Sequence, residues 1–191
     1  RFSEITKPPK QLVKLNKTNL IISILKYYNK YKFNYFLLPL GYKKNFFYKF
    51  FNDKKIQKKY KLNVILNNKR FELNPKLINI QIFNTKENAT KLERIKKSTE
   101  LFNNEFFLVT YGDGLANINF EDQLKFFRKR LKNLVTIYRT KSQYGHFDLN
   151  KNYLVKYFKE KPFFDLPINI GYYIFNKKDF NKFFNKKNEL E

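Results

Sequence analysis

A continuous apolar run that leads into a carboxylate between two glycines constrains the fold more than any other feature of the chain. Phe106–Thr110 is predicted to be a strand, and it continues directly into residues 111–114, Tyr-Gly-Asp-Gly. A helix is predicted from Asn119, whose side chain can cap it, with Glu121 and Asp122 in the first turn near the positive end of the helix dipole. A strand, a glycine turn and a helix in this order are typical of α/β proteins.

The rest of the chain repeats this alternation. In its first two thirds, predicted strands at residues 35–40 and 78–83 alternate with predicted helices that begin at Thr18 as N-cap and cover 43–52 and 88–97. The segment 54–77 is ambiguous, with a strand around Val64. Four more strands and a last helix follow at residues 134–139, 144–149, 153–158, 168–175 and from Lys177. This pattern predicts an α/β, Rossmann-like, doubly wound fold with a mainly parallel or mixed sheet, and the late strands indicate either a mixed sheet or an inserted hairpin.

Composition excludes several kinds of site. The 191 residues include no Cys, no Met and one His. Disulfides, thiol catalysis, Cys-based zinc sites and iron–sulfur clusters are therefore excluded, as is a site with several histidines. His146 is interpreted as a packed or surface side chain rather than a base, because no acid that could orient it lies nearby in the sequence.

The net charge of +24 raises the question of a nucleic-acid partner. The lysines are spread along the whole chain, and the dense run 125–132 lies between residues spaced as one buried helical stripe, namely Phe120, Leu124, Phe127 and Leu131. We interpret the charge as composition drift and expect no nucleic-acid partner; a basic nucleic-acid-binding protein remains an alternative. With no apolar run near the ~20 residues of a membrane span and no signal-peptide core, we expect no membrane partner and a cytoplasmic location.

The chain begins with Arg1 and contains no Met, so we expect it to be a fragment with further residues in the parent protein. We expect residues 1–191 to form one domain. The sequence leaves the oligomeric state open, and a homo-oligomer is one of the possibilities.

Five residues have side chains suited to a phosphate or sugar ligand. Asp113 at a strand end is either a Mg²⁺ ligand or part of an ordinary turn, and the flanking glycines allow a tight turn and a close approach. Lys10, on the stiff Lys-Pro-Pro-Lys segment, is either a phosphate ligand or one of many surface lysines. Glu160 with Lys161 is either a hydroxyl and phosphate pair or an exposed ion pair. An amide at Asn169, within an apolar run predicted to be buried, needs backbone or ligand partners.

Taken in order, seven motifs resemble the sugar-nucleotide pyrophosphorylases, a nucleotidyltransferase family, and within it the glucose-1-phosphate cytidylyltransferases. The resemblance covers nearly the whole chain and is weakest at residues 51–77. The form Thr-Tyr-Gly-Asp-Gly favours the cytidylyl branch. The motifs are RFSEIT, PKQLV, LGYK, FFLVTYGDGLANIN, YGHFDL, FKEKP and INIGYYIF.

The resemblance implies attack of a sugar 1-phosphate oxygen, expected to be that of glucose 1-phosphate, on the α-phosphorus of a nucleoside triphosphate, expected to be CTP. The products are a nucleotide sugar (CDP-glucose) and pyrophosphate, and the expected setting is polysaccharide biosynthesis. Carried over by position, each candidate receives a role. Arg1 and Lys10 are catalytic, Asp113 holds Mg²⁺ as the cofactor, and the substrate-binding residues are Gly112, Gly145, Glu160, Lys161, Asn169 and Gly171.

The chain also departs from the family pattern. The resemblance implies that the glycine-rich nucleotide loop would precede Arg1 and that a second metal-binding aspartate would follow Glu191. The stretch expected near the base has lost both glycines and runs from Thr90 to Arg94. We therefore expect little or no turnover from these 191 residues alone, and a degenerate nucleotidyltransferase-like domain that binds without catalysis is the second hypothesis.

Overall fold

A computed structural model describes residues 7–66 and 72–184 of the chain. The elements alternate between strands and helices up to residue 130, and strands dominate from there to residue 176. In chain order they are a 3₁₀ turn Lys10–Leu12, β1 Lys14–Leu15, β2 Thr18–Asn19, α1 Leu20–Lys30, β3 Tyr35–Leu40, α2 Lys44–Asn52, α3 Lys54–Tyr60, β4 Leu62–Leu66, β5 Ile78–Asn84, α4 Lys91–Thr99, β6 Phe106–Thr110, α5 Phe120–Arg130, β7 Leu134–Tyr138, β8 His146–Leu149, β9 Val155–Lys159, β10 Ile168–Asn176 and α6 Lys177–Phe184.

The first large sheet is parallel and has the order β3-β5-β4. Its central strand β5 is buried from residue 78 to residue 83, including the polar Asn79 and Gln81. The Asn79 amide donates to the carbonyls of Asn34 and Asn74, and its oxygen accepts from Asn63. Because each polar atom of Asn79 is hydrogen-bonded, the strand carries this residue in its centre without an unpaired polar group.

The second large sheet is antiparallel and has the order β6-β10-β7. The strand β10 is irregular between Asn169 and Tyr172, where its register with β7 shifts. A separate antiparallel hairpin, β8–β9, follows β7, and both its strands are exposed. The predicted α/β class, mixed strand directions and late hairpin are confirmed.

Helix α1 joins the two large sheets because its apolar face contacts both. Ile21, Ile22 and Leu25 pack in a cluster with β5 and α2, while Ile24 and Tyr28 pack in a second cluster with residues around β6 and β10. The predicted apolar face of this helix, Leu20, Ile21, Ile24, Leu25 and Tyr28, is buried throughout.

Most predicted boundaries hold to within one residue, and the larger errors lie at α4 and at the two hairpin strands, which begin at His146 and Val155, each two residues later than predicted. The first helix starts at Leu20 with Asn19, not Thr18, at the N-cap position, and Thr18 and Asn19 together form the short strand β2. The helix predicted at 88–97 is α4, which starts later because Thr90 forms a capping box with Glu93. The ambiguous segment contains α3 and β4, and its residues 67–71 lie outside the described part.

The predicted stripe of α5 is correct only in part. Phe120 and Phe127 are buried and Leu124 is half-buried, whereas Leu131 is 70% exposed. Leu131 is the C-cap residue and has a φ of +50°, which is not helical. Its side chain therefore no longer lies on the apolar face of α5. In the part of the chain that the structure describes, no helix is long and apolar enough to cross a bilayer.

Candidate active site

Lys10 lies on a short turn whose last residue is anchored in the hydrophobic core. The turn follows Pro9, and its last residue, Leu12, is buried in the core beneath α1. The buried Asn19 amide donates to the Leu12 carbonyl at 2.6 Å. Since the apolar end of the turn is anchored in this way, the exposed Lys10 side chain starts from a defined backbone position.

The turn with Lys10 lies against the loop that follows β6. A Cβ on Gly112 would come within 3.2 Å of Gln11 Cγ, so a side chain there would displace Gln11. Asp113 is exposed on this loop. The segments that carry Lys10 and Asp113 therefore lie next to each other where β6 ends, although the two residues are 103 positions apart in the sequence.

The predicted turn is present at Gly112 and Asp113. Neither of the two glycines around Asp113 has a positive φ, and a Cβ on Gly114 would meet nothing within 4 Å. The Tyr172 hydroxyl holds the loop, since it donates to the Gly114 carbonyl and accepts from the amide of Ala116. Gly112 lies directly against the Gln11 side chain, and the Cβ position of Gly114 faces open space.

Gly171 and Asn169 lie beside the same loop through Tyr111. Gly171 has a φ of +77°, and a Cβ on it would overlap the Tyr111 ring. The Tyr111 amide donates to the Gly171 carbonyl at 3.1 Å. Here the structure requires glycine for two independent reasons, backbone conformation and space.

The Asn169 amide has protein partners at both ends. Its oxygen accepts from the Gly171 amide at 2.8 Å, and its nitrogen donates to the Tyr173 hydroxyl at 2.6 Å. The expectation that Asn169 lies in a buried run is wrong, because β10 is exposed at its first two residues and buried only from Gly171 on.

Two tyrosine hydroxyls extend this network. Tyr111 and Tyr173 lie 3.1 Å apart, oxygen to oxygen. Burial raises the pKa of the Tyr173 hydroxyl, and the neighbouring Tyr111 hydroxyl raises it further. Tyr173 therefore stays protonated at neutral pH and serves as a hydrogen-bonding group in this network.

Gly145, Glu160 and Lys161 form a second group on the hairpin. A Cβ on Gly145 would overlap the Phe158 ring and lie 3.1 Å from the carboxylate of Glu160. Glu160 and Lys161 form an ion pair at 3.8 Å with both side chains 61% exposed, so the pair adds little stability. His146 lies nearby and contacts Ser142 Oγ at 2.8 Å.

Sequence reasoning missed Gln11, Tyr111, Tyr173 and Lys91 as neighbours of the site. The Lys91 ammonium lies 4.6 Å from the centre of the Tyr111 ring, at the start of α4. These contacts join segments far apart in the chain, so no local pattern could reveal them. Arg1 lies outside the described residues.

The stretch from Thr90 to Arg94, which the resemblance places near the nucleotide base, makes its contacts within the protein. The Arg94 guanidinium donates to Thr85 Oγ1 and to the carbonyls of Lys86, Glu87 and Ala89. A Cβ on Gly41 would overlap this guanidinium. Arg94 therefore fixes the loop before α4 and does not extend toward a ligand.

The chemistry of the donor set fits a Mg²⁺ ion held partly by substrate. The described residues contain no group of three or more His, Asp or Glu side chains that could enclose a metal. Mg²⁺ is commonly bound through one or two carboxylates, with water and phosphate oxygens completing six ligands. An exposed Asp113 next to open space suits a single ligand of that kind.

Comparison with known proteins decides the family. The model of the nucleotidyl transferase family matches residues 3–191. The chain belongs to the nucleotidyl transferase family. A probable glucose-1-phosphate cytidylyltransferase of Bacillus subtilis (strain 168) is 31% identical over 188 residues, which cover 95% of this chain and 72% of that protein.

Solved structures share the fold of this nucleotidyl transferase chain at low identity. HddC from Yersinia pseudotuberculosis has a TM-score of 0.58 at 19% identity, over 92% of this chain and 70% of its own. A UDP-glucose pyrophosphorylase complexed with UDP-glucose has a TM-score of 0.62 at 18% identity, over 96% of this chain and 75% of its own. The resemblance of fold predicted from the motifs is confirmed.

Proposed function

We propose that this nucleotidyl transferase joins CTP and glucose 1-phosphate to form CDP-glucose and pyrophosphate. A phosphate oxygen of the sugar phosphate attacks the α-phosphorus, a new P–O bond forms, and the bond to the β-phosphate breaks as pyrophosphate leaves. The observation that carries the proposal is the junction of the Lys10 turn with the Gly112–Asp113 loop, in a chain 31% identical to a probable cytidylyltransferase. Such in-line transfer depends on positioning and on neutralising charge, and it needs no covalent enzyme intermediate.

The first group of residues serves the triphosphate. In this proposal Lys10 donates to oxygens of the α-phosphate, where negative charge grows during transfer. Asp113 holds Mg²⁺, which when bound neutralises phosphate charge between the reacting groups. Gly112 brings these segments together, and Gly171 and Asn169 keep Tyr111 and Tyr173 in place beside them. Arg1 keeps its proposed triphosphate role without structural support.

The second group serves the sugar phosphate. Lys161 pairs with its phosphate, and Glu160 accepts hydrogen bonds from sugar hydroxyls. The resemblance assigns Gly145 to the sugar, but the Phe158 ring fills the space at its Cβ position, so a sugar contact there would require this ring to move. The exposure of Glu160 and Lys161 supports this proposal because both side chains are accessible to a ligand.

The second candidate is a domain that binds nucleotide without catalysis. The position of Lys91 and the use of Arg94 to fix its own loop favour it, because both lie in the stretch where the resemblance places the base. Binding without turnover separates this candidate from the first.

The deciding assay measures pyrophosphate release with glucose 1-phosphate and CTP, dTTP or UTP, with and without Mg²⁺. It uses the polypeptide encoded by the complete reading frame of the source DNA. Turnover with CTP alone supports the proposal, and turnover with another nucleotide assigns a different base. A folded protein that binds CTP but releases no pyrophosphate supports the binding domain.

The metal role of Asp113 has its own test. Asp113→Asn should abolish Mg²⁺-dependent release, while Glu100→Gln should not, because Glu100 is an exposed carboxylate at the far end of α4. Full activity in Asp113→Asn would disprove the metal assignment. Each of the two variants loses one carboxylate charge relative to the parent chain, so a general effect of charge would appear in both.

A further inference from the structure

The loop that carries Asp113 lies outside the regular elements of the described chain, between β6 and α5. From residue 113 to residue 119 its odd-numbered residues are exposed, whereas Gly114 and Ala116 are half-buried and Ile118 is buried. The loop joins none of the sheets that the described residues form. Its inward backbone groups therefore depend on side chains for hydrogen bonds, since buried backbone groups are rarely left unpaired.

Two tyrosine hydroxyls from different elements bond these backbone groups. The Tyr172 hydroxyl of β10 accepts from the Ala116 amide at 3.0 Å and donates to the Gly114 carbonyl at 3.1 Å. The Tyr27 hydroxyl of α1 accepts from the Ile118 amide and donates to the Ile118 carbonyl, each at 2.7 Å. Two side chains thus hold the loop from β10 and from α1, and we call them the tyrosine clamp.

The rings of the tyrosine clamp pack on one buried side chain. Tyr27 and Tyr172 lie 5.9 Å and 6.3 Å from the ring of Phe120, centre to centre, and Phe120 is 1% exposed at the start of α5. The Tyr172 ring also lies parallel to the Tyr28 ring at 6.4 Å. A phenylalanine would keep these ring contacts, so replacing either tyrosine of the clamp by phenylalanine removes only the hydroxyl.

Helix α1 joins the tyrosine clamp to the Lys10 turn. The Asn19 amide, at the N-cap position of α1, donates to the Leu12 carbonyl in that turn. Tyr27 lies eight residues further along the same helix, which is about 12 Å along its axis. One helix therefore bonds both the segment that carries Lys10 and the segment that carries Asp113, and it fixes the spacing between them.

We propose that Tyr27 and Tyr172 are positioning residues, which hold the Asp113 carboxylate beside the Lys10 turn for binding of a metal–nucleotide complex. Each hydroxyl donates its one proton to the loop backbone, so both act through Asp113. Without these bonds the loop adopts further conformations and must be ordered on binding, which lowers affinity. This inference rests on the proposed function, because the metal role of Asp113 belongs to it.

The test compares Tyr27→Phe, Tyr172→Phe and the double variant with the polypeptide encoded by the complete reading frame. Tyr35→Phe is the matched control, because the Tyr35 hydroxyl is also partly buried and donates at 2.6 Å to Gln81, in the parallel sheet. Amide hydrogen exchange reports the order of the Asp113 loop. Electron paramagnetic resonance of the Mn²⁺ complexes of CTP, dTTP and UTP reports binding without turnover, with Mn²⁺ in place of Mg²⁺.

The hydroxyls should affect both the loop and the affinity. The Ala116 amide in Tyr172→Phe and the Ile118 amide in Tyr27→Phe should exchange at least about tenfold faster, because each has lost its acceptor. Affinity for the Mn²⁺–nucleotide complex should fall about tenfold in each single variant and further in the double variant. Tyr35→Phe should change neither quantity.

A purely structural role of the hydroxyls predicts a different result. Thermal unfolding would then show a lower melting temperature in Tyr172→Phe and Tyr35→Phe alike, with the affinity for the Mn²⁺–nucleotide complex unchanged in both. That result would overturn the proposal. Unchanged exchange of the Ala116 and Ile118 amides in the double variant would overturn it as well.

Asp113→Asn separates a failure of this inference from a failure of the proposed function. If the parent polypeptide binds one of the Mn²⁺–nucleotide complexes more tightly than Asp113→Asn does, the metal role stands. Unchanged affinity in the double variant would then overturn only the positioning role of the tyrosine clamp. If the parent and Asp113→Asn behave alike with all three complexes, the metal role is wrong and the positioning role falls with it.

Discussion

The parallel sheet β3-β5-β4 and the hairpin β8–β9 are both rich in apolar residues, yet they differ sharply in burial. Ile80 and Ile82 of β5 have no exposed surface, whereas Phe147 and Tyr157 of the hairpin are 62% and 57% exposed. The sheet has helices against it, and the hairpin pairs only with itself among the described residues. Apolar strands therefore contribute stability here only where a second layer covers them.

The largest expected effect compares two phenylalanines, one from each region. Phe51→Ala, at a side chain with no exposed surface beside the parallel sheet, should lower the free energy of unfolding by about 3–5 kcal/mol. Phe147→Ala removes one exposed cross-strand contact with Phe158 and should cost less than about 1 kcal/mol. Urea unfolding of both variants measures the difference, and equal losses would show that the hairpin is covered in solution.

Two glycines at the candidate site extend the comparison to loops. Gly171→Ala should lower the free energy of unfolding by about 2 kcal/mol or more, because Gly171 has a left-handed φ and its Cβ would overlap Tyr111. Gly114→Ala, in open space, should change it by less than about 1 kcal/mol. The same urea titration checks the pair, and a tolerant Gly171 would mean that Tyr111 is free to move.

The buried tyrosine between the two sheets gives a pH-dependent test. Burial raises the pKa of the Tyr28 hydroxyl well above its ordinary value of 10.0. The unfolded chain therefore loses this proton first, and the stability linked to Tyr28 is full below pH 10 and is lost as the pH rises through the folded-state pKa.

Tyr28→Phe should leave stability at pH 7 nearly unchanged, because the hydroxyl has no partner among the described residues. It should also reduce the loss of stability above pH 10. Thermal unfolding at pH 7 and pH 11 measures both effects, with Tyr42→Phe, at an exposed ring, as the control. An identical alkaline loss in Tyr28→Phe and the parent chain would contradict the shifted pKa.

The smallest effect is expected at the hairpin ion pair. Glu160→Gln should change the free energy of unfolding by less than about 0.5 kcal/mol, since both partners are well exposed. The same variant should weaken sugar phosphate binding in the assay proposed above. A large loss of stability would instead make Glu160 a structural residue of the hairpin.

The bounds of the strands could be predicted from the sequence, whereas the contacts at the candidate site could not. The bounds of β3 and β6 follow from unbroken apolar runs, and the cap of α5 follows from Asn119, which accepts from the amides of Glu121 and Asp122. Leu131 shows the limit of a periodic pattern, because spacing alone does not reveal that the helix has ended. The candidate site residues were assigned through seven motifs, but their contacts could not be predicted from the sequence.

The sequence by itself determined the elements of this nucleotidyl transferase, because apolar periodicity, caps and glycines act within a few residues of the chain. Only the tertiary structure decided that Gln11 lies against Gly112, that Tyr111 covers Gly171, and that α1 packs against both large sheets. The two glycine contacts join residues 101 and 60 positions apart, and they depend on how helix α1 holds the two sheets together, which no local pattern encodes.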